Sequence, residues 1–112
     1  MTIFERIAAR EIPAEIVHET EDFLAFRDVN PQAPVHVLIV PKRVIARVGE
    51  AQPTDAELLG RMLASTGTIA AKLGVAQSGF RVVINHRADA GESVPHLHIH
   101  LLGGRALTWP PG

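Results

Sequence analysis

Apolar residues recur along the chain with two different periods, and the helical period predicts two helices. A Thr2-x-x-Glu5 capping box followed by apolar residues at helical spacing predicts a short first helix that ends near Glu11. A second box of the same form, Thr54 to Glu57, opens a longer helix that Gly74 ends. The apolar positions of this longer helix are Leu58, Leu59, Met62, Leu63, Ile69, Ala70 and Leu73.

Short apolar runs bounded by turn residues predict five strands. They are Ile16–His18, Phe23–Phe26, Val35–Val40, Phe80–Asn85 and His96–Leu102. The short polar link between the first two strands indicates a hairpin, and the third strand is nearly all apolar and therefore central. Hairpin connections with segregated helices predict an α+β domain on a mainly antiparallel sheet.

Composition narrows the class of protein without naming a function. The 112 residues correspond to one domain, 1–112, and a formal net charge of −1 argues against duplex nucleic acid as the main partner. The absence of cysteine excludes disulfides, thiolate catalysis and cysteine-based zinc sites. No secretory signal is visible at Met1–Arg6, and the longest apolar run, Val37–Val40, is far too short to span a membrane. We therefore expect a soluble, cytoplasmic chain with no membrane partner.

The most informative segment is His96-Leu97-His98-Ile99-His100. Side chains alternate across a strand, so the three histidines share one face while the apolar residues face the core. Half of the chain's six histidines stand within these five positions, where β-branched or aromatic residues would suit a strand better. The histidine face therefore indicates a chemical role. The alternative is a solvated outer face that uses histidine without any function.

The histidine face has two chemical interpretations. Three imidazoles could bind zinc, but the outer two would lie about 13 Å apart along a straight strand, too far for one ion. Two of them with His36 would be an easier set. Alternatively, one neutral ring attacks phosphorus while its neighbours donate hydrogen bonds, because imidazole titrates near physiological pH. This second reading uses all three histidines.

The segment His96–Leu102 satisfies every position of the His-x-His-x-His-x-x motif, and the chain resembles the histidine-triad (HIT) family, specifically the Hint branch of purine nucleoside phosphoramidases. The resemblance covers essentially the whole chain. The other matching segments are Thr2–Phe4, Glu11–Ala14, Pro31–Pro34 with His36, Pro41–Lys42, Gly103–Arg105 and Trp109–Gly112. It implies a five-stranded antiparallel sheet with two helices per subunit, and a homodimer whose sheets join.

The resemblance also implies roles for individual residues. His98 would be the nucleophile that takes the nucleotidyl group, His96 and His100 would orient it and contact the phosphate or leaving group, and His36 would support them. Asn85 and Ser93 match polar groups around the phosphate and leaving group. Asp28 matches a carboxylate that binds the ribose hydroxyls, although an Asp before a proline-rich loop is also a common turn residue. The implied purine pocket consists of Ile3, Phe4, Ile7, Phe26 and Val29.

The implied activity is hydrolysis of purine nucleoside 5′-phosphoramidates through a nucleotidyl-histidine intermediate, with no metal or other cofactor. The rival interpretations are a non-catalytic nucleotide-binding or scaffold dimer, a dinucleoside polyphosphate hydrolase and a nucleotidyl transferase. Two residues depart from the branch's pattern: Glu92 replaces a common glutamine, which would put a negative charge near a phosphate site, and Pro95 replaces a frequent aromatic. His18 and His86 are expected to be surface residues.

Overall fold

The computed structural model describes all 112 residues and contains two α-helices and five strands. In chain order they are α1 (Ile3–Ala8), β1 (Ile16–Glu19), β2 (Phe23–Arg27), β3 (Val35–Pro41), α2 (Ala56–Lys72), β4 (Phe80–Val83) and β5 (Ile99–Gly103). The strands form one antiparallel sheet in the order β1-β2-β3-β5-β4. The predicted α+β class, sheet and central third strand are therefore confirmed.

Helix α1 begins as predicted and ends earlier than predicted. The Thr2 hydroxyl accepts the Glu5 N–H at 3.1 Å, and the Glu5 carboxylate accepts the Thr2 N–H at 2.8 Å. At the other end Glu11 N–H donates to the Arg6 carbonyl and Arg10 N–H to the Ile7 carbonyl, with Arg10 at φ +64°. This is a Schellman ending with arginine where glycine is usual, which sequence patterns do not reveal.

Helix α2 ends as predicted, but its predicted capping box is wrong. Gly74 has φ +78° and closes a Schellman motif in which Val75 N–H donates to the Ala70 carbonyl. At the start, Asp55 Oδ2 accepts the Gln52 N–H at 2.7 Å, and Glu57 forms an ion pair with Arg61 instead. Neither helix has the combination of length and apolar character that a membrane span requires.

The sheet separates two apolar clusters of unequal size. Thirteen buried residues lie between the sheet and α2, with Ile39, Met62, Ile69 and Leu101 fully or almost fully buried. On the other face, a smaller cluster of six buried residues packs under α1: Phe4, Ile7, Leu24, Phe26, Leu38 and Val40. The three histidines of the motif and His36 lie on this second, smaller face.

Candidate active site

Strand β5 begins at Ile99, three residues later than predicted, so His96 and His98 precede the strand. The pairing of β3 with β5 stops at Ile39 and Ile99, close to Pro41, which has no N–H to offer a partner. Leu97 N–H donates instead to the Ile45 carbonyl at 2.6 Å. The alternation nevertheless persists, because Leu97, Ile99 and Leu101 all belong to the larger cluster. The predicted division into a histidine face and an apolar face is confirmed.

Both ring nitrogens of His96 are occupied within the chain. Its Nε2–H donates to the Pro41 carbonyl at 2.8 Å, and its Nδ1 lies 2.7 Å from the Thr2 hydroxyl. A carbonyl can only accept, so Nε2 carries the proton and the Thr2 hydroxyl donates to Nδ1 of the neutral ring. The ring is 0% exposed, and burial lowers its pKa. His96 therefore anchors α1 to β3 and has no nitrogen left for a phosphate.

His98 has one nitrogen fixed and one free. Its Nδ1 donates to the backbone carbonyl of His96 at 2.8 Å, which leaves the lone pair on Nε2. Nε2 has no hydrogen-bond partner in the chain. Because every fully buried side-chain nitrogen or oxygen has a partner, Nε2 is not fully buried. The rings of Phe4 and His100 each lie 5.0 Å from the His98 ring, edge-on. The free lone pair on Nε2 and the packing of the ring suit His98 to act as a nucleophile.

A chain of hydrogen bonds fixes the proton of His100. Gln32 N–H donates to His36 Nδ1 at 3.0 Å, so neutral His36 carries its proton on Nε2. That Nε2 lies 2.9 Å from His100 Nδ1, which must then accept, and His100 carries its own proton on Nε2. Burial is the main cause that lowers the pKa of His100 to about 4, with His98 and His36 adding to it. His100 is therefore a neutral donor aimed away from His36.

An apolar cavity of about 270 Å³ adjoins the histidines without being lined by them: Phe4 on its wall packs against the rings of His96 and His98, and Asp28 lies 3.5 Å from His36 Nε2. It is lined by all five residues predicted for the purine pocket, and also by Asp28 and Ser93. Phe4, Ile7 and Phe26 are buried, whereas Ile3 is 48% and Val29 99% exposed, so the last two form its rim. Sequence reasoning did not assign the other lining residues: Ile12, Pro13, Ala14, Arg27, Leu38 and Val94.

Asp28 takes part in a turn and also faces the histidines. Its Oδ1 accepts the Asn30 N–H at 2.9 Å, the turn role that was the alternative interpretation. Its Oδ2 lies 3.5 Å from His36 Nε2, and its side chain is 19% exposed. The carboxylate thus joins the apolar cavity to the hydrogen-bonded histidine pair.

The remaining predicted residues are less closely grouped. Asn85 is half-buried, does not line the cavity, and lies two residues beyond Val83, which pairs with His100. His18 and His86 are half-buried rather than fully exposed, and neither lines the cavity. His18 accepts from Lys72 Nζ at 2.7 Å, and His86 accepts from Gly49 N–H at 3.2 Å. They belong to local packing away from the cavity.

The ligand atoms of Asp28, His36 and His100 lie within 4.8 Å of one another, close enough to surround one metal ion. A metal-binding histidine normally donates its second N–H to an acceptor. Here the second nitrogen of His36 accepts from Gln32 N–H, which forces the proton onto Nε2, the nitrogen that would have to bind the ion. A metal ion on His36 Nε2 would move the proton to Nδ1 and so break the hydrogen bond from Gln32 N–H. The three residues as arranged here therefore do not suit a metal ion.

Three residues that position the histidines were missed as site residues: Thr2, Gln32 and Pro41. Thr2 was visible only as a helix cap, although its hydroxyl also binds His96. Gln32 and Pro41 act through backbone groups, and a backbone N–H or C=O carries no side-chain signal in a sequence. The Gln32 amide meets His36 through the fold of the loop before β3, and the Pro41 carbonyl meets His96 through the approach of distant segments, so only the structure shows either contact.

Comparisons with known proteins agree with this geometry. The chain matches the HIT domain family over residues 9–107. It is 53% identical over 111 residues to an uncharacterized HIT-like protein of Synechocystis sp., covering 99% of this chain and 96% of that protein.

Two solved structures are similar over nearly the full length. A HIT family hydrolase from Legionella pneumophila has a TM-score of 0.96 and 46% identity, covering 100% of both chains. A HIT family hydrolase from Clostridium thermocellum has a TM-score of 0.92 and 42% identity, covering 96% of this chain and 93% of that one. The histidine geometry, the family match and the structural similarity lead to the same conclusion, that this chain belongs to the HIT domain family.

Proposed function

We propose that the chain hydrolyses purine nucleoside 5′-phosphoramidates at the P–N bond, with His98 as the nucleophile. The observation that carries the proposal is the fixed tautomer of His98. Its Nδ1–H donates to the His96 carbonyl, its Nε2 has no partner in the chain, and its ring lies 5.0 Å from that of Phe4, which lines the apolar cavity. A positioned neutral imidazole with its lone pair free is the group that nucleophilic attack at phosphorus requires.

In the first step His98 Nε2 attacks the α-phosphorus, the P–Nε2 bond forms, and the P–N bond of the substrate breaks. The leaving nitrogen takes a proton from solvent, with the Ser93 hydroxyl on the cavity wall as the proposed relay, and departs as the amine. The attacked ring becomes cationic, and the His96 carbonyl that accepts from Nδ1–H stabilises that charge. His100 Nε2–H donates to a non-bridging oxygen of the phosphate.

In the second step water adds to phosphorus and loses a proton to solvent while the P–Nε2 bond breaks, which releases the nucleoside monophosphate and restores neutral His98. The purine would occupy the apolar cavity and Asp28 would accept from the ribose hydroxyls. Because Asp28 also faces His36, ribose binding and the histidine chain share one carboxylate. We assign Asn85 to the phosphate end on the resemblance, with the position of β4 as its structural support.

Turnover of adenosine 5′-phosphoramidate, measured against diadenosine polyphosphates with and without a chelator, tests the proposal. We expect the phosphoramidate to be hydrolysed to AMP at an undiminished rate in chelator. Preferential hydrolysis of the polyphosphates would make the chain a dinucleoside polyphosphate hydrolase. AMP binding without turnover would make it a non-catalytic nucleotide-binding protein. Loss of activity in EDTA that zinc restores would favour a metal mechanism.

We also propose that the chain forms a homodimer through β4. This strand is an edge of the sheet, and an unpaired edge is a template for a second strand. On α2, Leu63 is 47% exposed although it lies among the helix's apolar positions. Sedimentation at micromolar concentration should show a dimer, and a monomer there would contradict the proposal.

A further inference from the structure

Glu92 stands where the family resemblance led us to expect a neutral glutamine, next to a proposed phosphate site. A free carboxylate there would repel a phosphate, but this one is not free. Its side chain is only 10% exposed, its Oε1 lies 2.9 Å from Arg47 Nε, and the same oxygen accepts the Arg87 N–H at 3.0 Å. The contacts with Arg87 and Arg47 lower the pKa of Glu92, so it stays ionised and paired.

The Arg47–Glu92 pair belongs to a larger set of contacts, here called the seam, that joins segment 47–50 to segment 86–92. Arg87 Nη2 lies 2.7 Å from Glu50 Oε2, and Arg47 Nη1 lies 3.5 Å from the same oxygen. Two arginines and two glutamates therefore alternate with no net charge. The seam continues at Gly49, whose N–H donates to His86 Nδ1, and a Cβ at this glycine would lie 2.6 Å from the His86 ring. Segments 47–50 and 86–92 are thus fastened together.

The seam ends where the site begins. The residue after Glu92 is Ser93, which lines the cavity with Val94. A second fastening follows at once, because Leu97 N–H donates to the carbonyl of Ile45, two residues before Arg47. The stretch 93–96 is therefore held at both ends against one short segment, 45–47. His98 lies two residues after His96, the last residue of that stretch, and its Nδ1 donates to the His96 carbonyl.

We propose that Glu92 is a positioning residue for the phosphate end of the site: held by Arg47 and the Arg87 backbone amide, it fixes Ser93 and the chain leading to His98. This inference rests on the proposed function for its kinetic consequence. Where the resemblance led us to expect a neutral glutamine, the chain has a glutamate. Its negative charge is paired with Arg47 and is not left free to repel the substrate. Neither Glu92 nor Arg47 touches the reacting atoms.

The kinetic test compares Glu92→Ala, Arg47→Ala and Glu92→Gln with a control, Arg61→Ala. Arg61 also makes two ion pairs, with Asp22 and Glu57, but does not line the cavity. Both seam variants to alanine should lower kcat for adenosine 5′-phosphoramidate by about ten- to a hundredfold, since small misplacements have such effects. Glu92→Gln should recover most of the activity, because its amide oxygen can still accept from Arg87 N–H and Arg47. A loss no larger than that of Arg61→Ala would overturn the proposal.

Binding separates the phosphate end from the rest of the site. In the alanine variants at position 92 or 47, affinity for AMP should fall more than affinity for adenosine, because only Ser93 and Val94 of the fastened stretch line the cavity and the other purine and ribose contacts come from other elements. Equal losses for both ligands would mean general damage to the fold and would overturn the assignment.

Amide hydrogen exchange of the ligand-free protein tests the positioning role without using activity. The Leu97 amide, bonded to Ile45, should exchange at least about tenfold faster in Glu92→Ala than in Arg61→Ala, because local opening becomes easier. Unchanged exchange would contradict the positioning role even in an active enzyme. If exchange is faster in Glu92→Ala and the wild-type protein has no phosphoramidase activity, the positioning role is upheld and only the proposed function is rejected.

Discussion

The two faces of the sheet are built on different principles. The face under α2 buries a cluster of thirteen apolar residues, and its stability comes from excluding water. The face under α1 buries six apolar residues and is completed by the buried rings of His36, His96 and His98. Those rings are held by directional hydrogen bonds that also decide which nitrogen carries each proton. Substitutions on the first face should therefore change stability, and substitutions on the second should change chemistry.

The largest effect on the histidine face should come from His98. His98→Ala or His98→Gln should lower kcat by at least about a thousandfold while AMP affinity stays nearly intact, because the nucleophile contributes mainly in the transition state. His96→Ala and His100→Ala should lower kcat less, because they position or polarise without forming the bond. Steady-state kinetics and equilibrium binding of AMP measure the two quantities separately.

A covalent trapping experiment identifies the nucleophile directly. Labelled substrate quenched rapidly without acid should leave nucleotide on His98, whose Nε2 is free of any partner in the chain. Label on His96 or His100, or near-full activity in His98→Ala, would falsify the assignment.

The largest effect on the opposite face should come from a truncation in the larger cluster. Met62 is 0% exposed on α2, so Met62→Ala should lower the free energy of unfolding by about 2 to 5 kcal/mol. The kcat of the fraction that remains folded should stay within about twofold, because the cavity opens on the far side of the sheet. Chemical denaturation gives the first quantity, and kinetics at low temperature gives the second. A large fall in kcat without loss of stability would break the division between the faces.

The same division explains which features were predictable. Apolar periodicity located both helices, the sheet and the face of Leu97, Ile99 and Leu101, because burial depends on side-chain type and spacing. The start of β5 was misplaced because Pro41 and the Ile45 carbonyl end the ladder through tertiary contacts. The family resemblance supplied the pocket residues, but the roles of Thr2 and the Gln32 amide depend on hydrogen bonds that no residue pattern encodes.

The neutral histidines should make the protein less stable in mild acid. The pKa of His100 is lowered to about 4, below its ordinary value of 6.5. Between these values the unfolded chain binds a proton that the folded chain does not, so stability is full above about pH 6.5 and falls as the pH drops towards 4. The loss of unfolding free energy attributable to His100 is at most about 3 kcal/mol. This is an upper bound, because the side chain is only partly buried and solvent screens its charge.

His100→Gln isolates this effect, since glutamine does not titrate. The unfolding free energy of the wild type should fall more steeply between pH 7 and pH 4.5 than that of the variant. Burial also lowers the pKa of His36 and His96, so a residual slope in the same direction is expected. Parallel slopes in the two proteins would show that His100 is not held neutral.

A smaller effect is expected from the carboxylate at the edge of the histidine face. Asp28→Ala should weaken AMP binding by about ten- to a hundredfold, because it removes charge-assisted hydrogen bonds to the ribose. Binding of 2′,3′-dideoxy-AMP, which lacks the hydroxyls, should change far less. Titration calorimetry with both ligands makes the comparison, and equal losses would remove Asp28 from the ribose site.

The smallest effect joins the helix cap to the histidine face. Thr2→Val removes the hydroxyl that accepts from Glu5 N–H and donates to His96 Nδ1, so it should lower the unfolding free energy by about 1 to 2 kcal/mol. Thr2→Ser should retain most of that stability, since serine keeps both bonds. Thr66→Val on α2 is the control, because its hydroxyl only bonds the Leu63 carbonyl on an exposed surface, and it should be nearly neutral. The ¹⁵N shift of His96 Nδ1 should move in Thr2→Val alone, because that nitrogen loses its only donor. If the shift does not move, His96 does not depend on the helix cap, and the cap is separate from the histidine face.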